Sequence, residues 1–308
     1  MSQSTAAAPA RDPDRYLVED ILPLHEVHLI GGPSGAGKST WTFQMIANWS
    51  QGIPIHDFAS YPSDWHYVAC DRSLDSVKRT LERIESRIDI SRITSLVDNP
   101  SSQTTGAKAL LECGERVLPK GGFLVVDGIG MLTPGGKISD YSIVSDYIKA
   151  LTRGCKRYKI TIGGLGHATK TKEGERYLNP RQRILGSVAW GACADTVIFL
   201  DAKDEQDTEN GKRELLILPR NASAVRINLM FDDRGRLIEE TDDVNWVILD
   251  SWLKRFGPTS EIATHEVADF AISRGISQRT YQRWLTTRVN DGVLDRPTRG
   301  LYVRMFTT

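Results

Sequence analysis

A short stretch near the amino terminus combines glycines, a lysine and a hydroxyl group at a spacing that could bind phosphate. Residues 32–39 read GPSGAGKS and match the phosphate-binding loop pattern G-x-x-x-x-G-K-[ST]. Glycines let the backbone curl until its N–H groups point at phosphate oxygens. The apolar residues 27–30 predict a strand before this loop, and residues 40–49 predict a helix whose positive end faces it. The sequence therefore predicts a nucleotide site, with a glycine-rich turn that matches by chance as the alternative.

The predicted nucleotide contacts cover the whole loop and the residue that follows it. They are Gly32, Pro33, Ser34, Gly35, Ala36, Gly37, Lys38, Ser39 and Thr40. In this loop pattern Lys38 reaches the β- and γ-phosphates, and Ser39 places its hydroxyl group on Mg²⁺. We therefore expect ATP and Mg²⁺ as ligands.

An acid at the end of a later apolar run is the second expected magnesium ligand. Asp127 follows residues 123–126, which read FLVV and predict a buried strand. Strand ends in open α/β sheets face the ligand crevice, so we expect Asp127 beside Ser39. The alternative is an acid that merely starts the turn of residues 127–130.

Two other strand ends carry groups that could act on the γ-phosphate. Asp71 follows the apolar residues 66–70 and could polarise a water molecule aimed at that phosphate. The alternative is that Asp71 or Ser73 caps the helix that follows. His167 follows the strand-like residues 160–165, where a neutral imidazole could sense the phosphate through a hydrogen bond. A purely structural histidine is the alternative there.

The segment after His167 is a predicted contact surface for a nucleic-acid backbone. Residues 168–183 hold five basic residues against two glutamates, and the basic residues are Lys170, Lys172, Arg176, Arg181 and Arg183. The alternative is a solvated surface loop, which is the usual environment of a run of charges.

Strand-like and helical runs alternate along most of the chain, which predicts an α/β fold with a mostly parallel sheet. The predicted strands are residues 27–30, 66–70, 123–126, 160–165, 196–200 and 215–218, and the predicted helices after the first are residues 76–88, 106–118, 142–158 and 187–194. Residues 1–14 predict a flexible tail. The pattern changes after the acidic stretch 239–243, so we expect one domain at 15–242 and another at 243–308.

The last part of the chain predicts three helices followed by a hairpin, an order that looks like a winged helix-turn-helix. On the third helix Tyr281 and Leu285 should point inward, while Arg279 and Arg283 should point outward, and Arg299 should lie in the wing. From residue 276 onward there are six arginines against two aspartates, which favours nucleic-acid contact. A protein-interaction module and a simple oligomer strut are the alternatives.

Taken in order, the motifs GGPSGAGKST, VACDRS, FLVVDGIG, GGLGHATK and LGSVAWGACADTVIFL resemble those of RecA-like ATPases. The closest resemblance is to the RepA-like replicative helicases of plasmids and phages, an AAA-type ATPase family. It implies a RecA-like P-loop core over residues 15–242, a hexameric ring and a histidine that senses the γ-phosphate. In that family an acid after the second strand, usually glutamate, activates water, and Asp71 stands in its place. The family also uses a basic residue of a late strand as a finger into the neighbouring subunit's site. Arg220 holds that position here, with Arg226 as second choice and plain strand-edge charge as the alternative.

The composition leaves three functions open. The formal net charge is zero, so any affinity for nucleic acid must come from local patches. No leader and no membrane-spanning run is recognisable, so we expect a cytoplasmic protein without membrane partners. The leading hypothesis is a ring-forming, ATP-driven motor on single-stranded DNA, with duplex contact at the winged helix. The second is a DNA-binding regulator or loader that uses ATP as a switch. The third, a small-molecule kinase, would need an acceptor pocket.

Overall fold

Apolar strands and amphipathic helices build one large mixed sheet with helices on both faces in the computed structural model of this chain. The structure describes residues 12–56, 58–98, 106–168, 180–184, 186–202, 205–239, 243–257, 259–274, 276, 278–290, 292–298 and 300–305. The chain divides into two units, Met1–Glu239 and Glu240–Thr308.

The first unit contains this sheet, which has nine strands, and a separate two-stranded sheet formed by the first two strands. Its strands are β1 (Tyr16–Val18), β2 (Leu22–Pro23), β3 (Val27–Gly32), β4 (Trp65–Ala69), β5 (Ile93–Ser95), β6 (Gly122–Asp127), β7 (Ile160–His167), β8 (Thr196–Asp201), β9 (Lys212–Pro219), β10 (Val225–Phe231) and β11 (Leu237–Glu239). Its helices are α1 (Lys38–Trp49), α2 (Leu74–Arg83), α3 (Ala107–Val117), α4 (Tyr141–Tyr158), α5 (Val188–Cys193) and α6 (Glu205–Glu209).

The strand order brings the predicted site residues to one edge of the sheet. The order is β11-β10-β9-β8-β3-β7-β6-β4-β5, and the strands from β8 to β5 run parallel to one another. Gly32 pairs with His167, and Ala69 pairs with Asp127. The carboxyl ends of β3, β4, β6 and β7 therefore share one edge, which we call the carboxyl edge. The mostly parallel sheet that the sequence predicts is thus present.

The central strands are buried on both faces, which explains why they read as continuous apolar runs. Every residue of β3, β4 and β6 is buried. Helices α1 and α2 cover one face with side chains such as Phe43 and Val77. Helices α3 and α4 cover the other face with side chains such as Leu110 and Ile148. This packing fixes the strands whose ends carry the site.

The structure differs from the prediction in one helix and at the far edge of the sheet. Helix α2 ends at Arg83 and does not reach residue 88, because Glu85 has a left-handed φ of 51° that a helix cannot continue. Strands β9, β10 and β11 extend the sheet in antiparallel order, where the sequence predicts only residues 215–218. In strand β10 only Leu229 is fully buried and the other positions are partly or fully exposed, so its apolar signal is weak.

The second unit contains α7 (Asp243–Leu253), β12 (Glu261–Ala263), α8 (Thr264–Ser273), α9 (Gln278–Asn290), β13 (Leu294–Thr298) and β14 (Leu301–Arg304). The strands form an antiparallel sheet in the order β12-β14-β13. Trp252 and Trp284 are buried in its core, together with the predicted inward residues Tyr281 and Leu285. The three helices and the hairpin are therefore present, whereas β12 is an element that the sequence analysis missed.

Within the described ranges, no helix combines the length and the apolar character needed to cross a membrane.

Candidate nucleotide site

The predicted phosphate-binding loop joins β3 to α1 at the carboxyl edge. Gly32 is required because a Cβ atom there would lie 2.1 Å from the carbonyl oxygen of Leu200. Gly37 has a left-handed φ of 100°, and a Cβ atom there would lie 2.8 Å from the ring of Phe231. Helix α1 begins at Lys38, so its first N–H groups, which have no partner within the helix, are directed toward the loop.

The ammonium group of Lys38 is held by the loop backbone. It donates to the carbonyl oxygens of Gly32 at 2.9 Å and Pro33 at 2.8 Å. Burial lowers the pKa of Lys38, while the nearby carboxylates of Asp127 and Asp71 oppose that shift. Neutral carbonyl groups are weaker acceptors than charged phosphate oxygens, so phosphate can replace them.

Asp127 and Ser39 meet as expected from the sequence. The carboxylate oxygen Oδ2 of Asp127 accepts a hydrogen bond from Ser39 Oγ at 3.1 Å. It also accepts from the Tyr67 hydroxyl at 2.5 Å and from Arg72 Nη2 at 2.7 Å. Tyr67 and Arg72 are site residues that the sequence analysis missed, because nothing in the apolar run of β4 or the turn after it shows which way their side chains reach.

The Asp127 carboxylate therefore accepts hydrogen bonds from one permanently charged group, the Arg72 guanidinium, and from two hydroxyl groups, those of Ser39 and Tyr67. Burial, and then the charge of Asp127, raise the pKa of Tyr67 well above its usual range, so Tyr67 remains a donor. Burial acts against the charge of Arg72, but Tyr67 and Asp127 outweigh it, so the pKa of Arg72 is raised.

Ser39 and Asp127 are the residues that could hold a magnesium ion. Mg²⁺ takes oxygen ligands and is usually bound by one or two carboxylates together with substrate phosphates. The Ser39 hydroxyl and the Asp127 carboxylate lie in hydrogen-bond contact beside the loop, so this donor set fits the ion. Over the part of the chain that the structure describes, no group of three or more acidic, histidine or cysteine side chains forms a metal cluster.

Asp71 does not cap helix α2. The Ser73 side chain is the cap, and it accepts the backbone N–H of Ser76 at 3.3 Å. The neighbouring N–H of Leu74 donates to Asp98 at 2.6 Å. The structure thus assigns to Ser73 the capping role that the sequence left open between two residues, and the Asp71 side chain lines the cavity beside the loop.

Asp71 and His167 line two adjoining cavities. The smaller cavity, of about 460 Å³, is also lined by the phosphate loop and Asp127. The larger, of about 620 Å³, extends along the segment after β6 to Ile138. Partial burial, and then the charge of Asp127, raise the pKa of Asp71, while Arg72 and His167 oppose that shift. A carboxylate with a raised pKa is a better proton acceptor than an ordinary aspartate.

Another wall of the smaller cavity comes from residues that the sequence analysis did not single out. Arg83 of α2 lines it together with Phe231 and Gly235 of the β10–β11 hairpin. A Cβ atom on Gly235 would lie 3.2 Å from the Arg83 guanidinium, and Arg234 forms an ion pair with Glu85. The hairpin therefore reaches from the sheet to the end of α2. These contacts join residues about 150 positions apart, which a single sequence does not reveal.

Arg220 follows β9 at the edge of the sheet opposite to the carboxyl edge. Strand β9 runs antiparallel to β8, and its last residue, Pro219, pairs with Thr196, the first residue of β8. The Arg220 guanidinium donates to the carbonyl oxygens of Ala192 at 2.9 Å and Ala194 at 3.0 Å. The side chain thus binds the last carbonyl groups of α5, yet it is 48% exposed.

Arg226, the second choice for the finger, lies on β10. It pairs with Glu214 of the neighbouring strand at 3.4 Å and is 64% exposed. The finger assignments for Arg220 and Arg226 both stay predictions, because each side chain is accessible and each has a partner within its own chain.

The predicted nucleic-acid contacts in the first unit are only partly described. Lys170, Lys172 and Arg176 lie outside the described residues. Arg181 donates to the carbonyl oxygens of Gly191 at 2.8 Å and Leu218 at 2.5 Å. Arg183 pairs with Asp201 at 2.9 Å. Both side chains would have to release these partners to bind a nucleic acid, so this assignment also stays a prediction.

The predicted contacts in the second unit fall largely outside the description. The backbone of Arg279 and Arg283 belongs to α9, but their side chains lie outside the described part, as does Arg299. Arg288 pairs with Asp250 at 2.5 Å, and Arg304 donates to the carbonyl oxygen of Phe256. Arg296 lies over the Tyr302 ring at 5.7 Å, so all three arginines of this basic stretch whose side chains are described have internal partners.

Comparisons with known proteins agree with this architecture. A family model described as an AAA domain matches residues 2–173, which is more than half of the chain. Among solved structures, one described as an ATPase domain is similar with a TM-score of 0.51 at 13% identity, over 70% of this chain and 84% of that one. At this identity the likeness shows a shared fold and nothing further. No curated protein matches the chain.

Proposed function

This chain belongs to the AAA domain family, and from that membership we propose that it is a Mg²⁺- and ATP-dependent motor that translocates on single-stranded DNA. We propose that it is a RepA-like replicative helicase and that it works as a ring, expected to be a hexamer. Its own core supports the coarser part of this statement, an ATPase with a RecA-like fold.

One observation carries the proposal: four adjacent strand ends bring five side chains to one cavity. Lys38 and Ser39 follow β3, Asp71 follows β4, Asp127 ends β6 and His167 ends β7, and all of them line it. A glycine-rich turn that matched the loop pattern by chance would not require acids and a histidine on the neighbouring strands. The arrangement is what ATP hydrolysis needs, because it combines phosphate binding, cation binding and a proton acceptor.

The phosphate end of the site would be held by three side chains. Ser39 and Asp127 would bind Mg²⁺, which neutralises charge on the phosphate oxygens when it is present. Lys38 would exchange its two backbone carbonyl partners for phosphate oxygens. The pattern of the loop supports this assignment.

Asp71 and His167 would act at the γ-phosphate. The raised pKa of Asp71 favours proton abstraction from water. Asp71 is not needed to cap helix α2, because the Ser73 side chain does so. His167 lines both cavities. A movement of its side chain when it forms a hydrogen bond to the phosphate would therefore also be felt by the segment that lines the larger cavity.

Arg220 would act on the site of a neighbouring subunit. It follows β9 at the opposite edge of the sheet from Lys38 of its own chain, so it cannot reach its own nucleotide while β9 stays in the sheet. Its exposure and its position at a strand end support action across an interface.

Nucleic-acid contact would involve both units, which we propose as an ATPase domain at 15–242 and a winged helix-turn-helix domain at 243–308. The order of three helices and a hairpin supports the second assignment. Arg279, Arg283 and Arg299 would contact duplex DNA, and the basic segment after His167 would contact the single strand.

Strand displacement separates this motor from the ATP-switch regulator, which shares every motif. A forked duplex with a labelled strand should be unwound in the presence of Mg²⁺ and ATP, and Lys38→Ala should abolish the unwinding. A protein that hydrolyses ATP, protects one specific duplex sequence and displaces no strand would be the regulator.

The larger cavity favours one further candidate, a small-molecule phosphotransferase. It shares Asp71 and His167 with the nucleotide cavity and has room for an acceptor beside them. Phosphate released as inorganic phosphate in the absence of any added small molecule would speak for the motor. Turnover that required an added hydroxyl compound would speak for the transferase.

A further inference from the structure

The Arg72 side chain contacts the same carboxylate, Asp127, that would hold the cation. Arg72 Nη2 lies 2.7 Å from Asp127 Oδ2, the same oxygen that accepts the Ser39 hydroxyl. A divalent ion held by Ser39 and Asp127 would bring two positive charges next to this guanidinium. Like charges at such a distance repel, so the ion and the guanidinium compete for one carboxylate.

We propose that Arg72 is a positioning residue that serves as a built-in counter-ion for Asp127 and releases this carboxylate when a divalent cation binds. The inference rests on the proposed function in one respect, because that function puts the cation at Asp127.

The surroundings of Asp127 explain why a counter-ion is needed. Asp127 is buried, with 7% of its surface exposed, and a buried carboxylate without a charged partner is costly. Arg72 and the Tyr67 hydroxyl both donate to it, and Arg72 also donates to the Tyr67 oxygen at 3.0 Å. Arg72 and Tyr67 therefore supply this buried carboxylate with a charged partner and a hydroxyl donor, and the same oxygen also contacts Ser39.

The Arg72 side chain also has space into which it can move away from Asp127. Its side chain is 24% exposed and lines the same cavity as Lys38 and Asp71. Both of its side-chain hydrogen bonds to Tyr67 and Asp127 come from Nη2, and its Nε is buried without a partner among the described residues. A guanidinium has five N–H donors, so Arg72 can turn into the cavity and retain donors for phosphate oxygens.

A purely structural role for Arg72 predicts the opposite change in cation affinity. If Arg72 only supports the fold around Asp127 and Tyr67, its removal should loosen the site and weaken cation binding. If Arg72 competes with the ion, its removal should strengthen cation binding although it destabilises the protein. The sign of the change in cation affinity therefore separates the two roles.

The test measures Mn²⁺ binding to the nucleotide-free protein by the loss of the electron paramagnetic resonance signal of free Mn²⁺. Mn²⁺ suits the same carboxylate and hydroxyl ligands as Mg²⁺. Arg72→Met should bind Mn²⁺ at least about tenfold more tightly than the wild type, since a charge-assisted hydrogen bond no longer has to be broken. Arg72→Gln, which keeps a donor and loses the charge, should show the same direction, and Arg72→Lys should lie between them and the wild type.

Arg116→Met is the matched control, because it removes one positive charge from the exposed end of α3. Helix α3 ends at Val117, shortly before β6 begins at Gly122, so Arg116 lies at the other end of this strand from Asp127. Its Mn²⁺ affinity should equal that of the wild type. Tightening of the same size in Arg116→Met would mean a general charge effect and would overturn the inference.

Thermal unfolding without nucleotide gives a second readout. Arg72→Met should melt below the wild type and recover part of the difference in millimolar Mn²⁺, whereas the wild type should barely respond. The double variant Arg72→Met/Asp127→Asn should lose this recovery, since the uncompensated carboxylate is gone. Unchanged or weaker Mn²⁺ affinity in Arg72→Met and Arg72→Gln would refute the counter-ion role. Because no nucleotide is present, that result would leave the proposed ATPase function intact.

Discussion

Arg220 and Asp127 of one chain lie at opposite edges of the same sheet. Asp127 ends β6 at the carboxyl edge, whereas Arg220 follows Pro219, which pairs with the first residue of β8. Arg220 therefore has no path to the phosphate site of its own chain while the sheet is intact. If it is a catalytic arginine, it acts on another subunit.

The first prediction concerns Arg220→Ala. This variant should bind ATP normally and hydrolyse it about 10³–10⁵-fold more slowly, the range for an arginine that stabilises phosphoryl-transfer charge. Mixing the two variants in one ring tests action between subunits. Lys38→Ala subunits keep Arg220 but lack a working phosphate loop, and Arg220→Ala subunits have the opposite defect. Rings that contain both variants should regain part of the ATPase activity, which a coupled phosphate-release assay would detect.

Arg226→Ala is the control for this prediction, because Arg226 is also exposed but pairs only with the neighbouring strand's Glu214 in the described contacts. If mixed rings of Arg220→Ala and Lys38→Ala stay inactive, while Arg226→Ala is inactive by itself and regains activity in rings with Lys38→Ala, the finger assignment moves to Arg226. If neither mixture recovers, the multi-subunit account loses its main support.

The second prediction concerns Asp71. Asp71→Asn should leave nucleotide affinity nearly unchanged and slow hydrolysis by ~10²–10⁴-fold, because the proton acceptor is lost and the shape is kept. Asp71→Glu keeps a carboxylate at this position and introduces the residue type that is usual there in the family that the sequence resembles, so this variant should retain turnover. Single-turnover hydrolysis and nucleotide titration measure the two effects separately.

Ser73→Ala is the matched control for Asp71. It removes the side-chain cap of α2 and should cost about 1 kcal/mol of the free energy of unfolding. Turnover should change little. If Asp71→Asn behaved like Ser73→Ala, with lower stability and unchanged turnover, Asp71 would be structural and another acid would have to be the base.

The third prediction is the pH dependence that follows from Asp71. Burial and Asp127 raise its pKa, and a general base works only when it is deprotonated. Turnover should therefore fall as the pH drops through this raised pKa, so the acid limb should lie above the usual range of an aspartate. The limb should disappear from the pH profile of the residual activity of Asp71→Asn.

The sequence identified the strand ends of the site because the chemistry there follows buried strands. Asp71, Asp127 and His167 each follow a continuous apolar run, and a parallel sheet places such ends on one edge. The same reasoning could not find Tyr67 or Arg72 as partners of Asp127. Their roles depend on how far side chains reach between β4 and β6, and hydrophobic periodicity carries no information about that reach.

The antiparallel edge was harder to predict for a different reason. Strands β10 and β11 are half-exposed, and their hairpin reaches α2 through Gly235, far along the chain from Arg83. Phe231 beside Gly37 was missed for the same reason, since an aromatic residue at the end of a weakly amphipathic strand has no distinctive pattern. The helix boundary at Arg83 depended on a single left-handed residue, Glu85.

The fourth prediction concerns Asp127→Asn. An amide oxygen is a weaker ligand for Mg²⁺ than a carboxylate, so the magnesium concentration that supports half-maximal ATPase activity should rise. The far-ultraviolet circular dichroism spectrum should match the wild type, because the amide has the same shape. A magnesium titration that coincides with that of the wild type would remove Asp127 from the cation site.

The most direct test of the central claim is the ATPase rate of the full chain with and without single-stranded DNA, beside the same measurement on Lys38→Ala. The account predicts Mg²⁺-dependent hydrolysis that single-stranded DNA stimulates and that Lys38→Ala abolishes, because the charge that binds the β- and γ-phosphates is gone. Hydrolysis at the normal rate in Lys38→Ala would contradict the nucleotide site. Wild-type hydrolysis that single-stranded DNA leaves unchanged would contradict the motor.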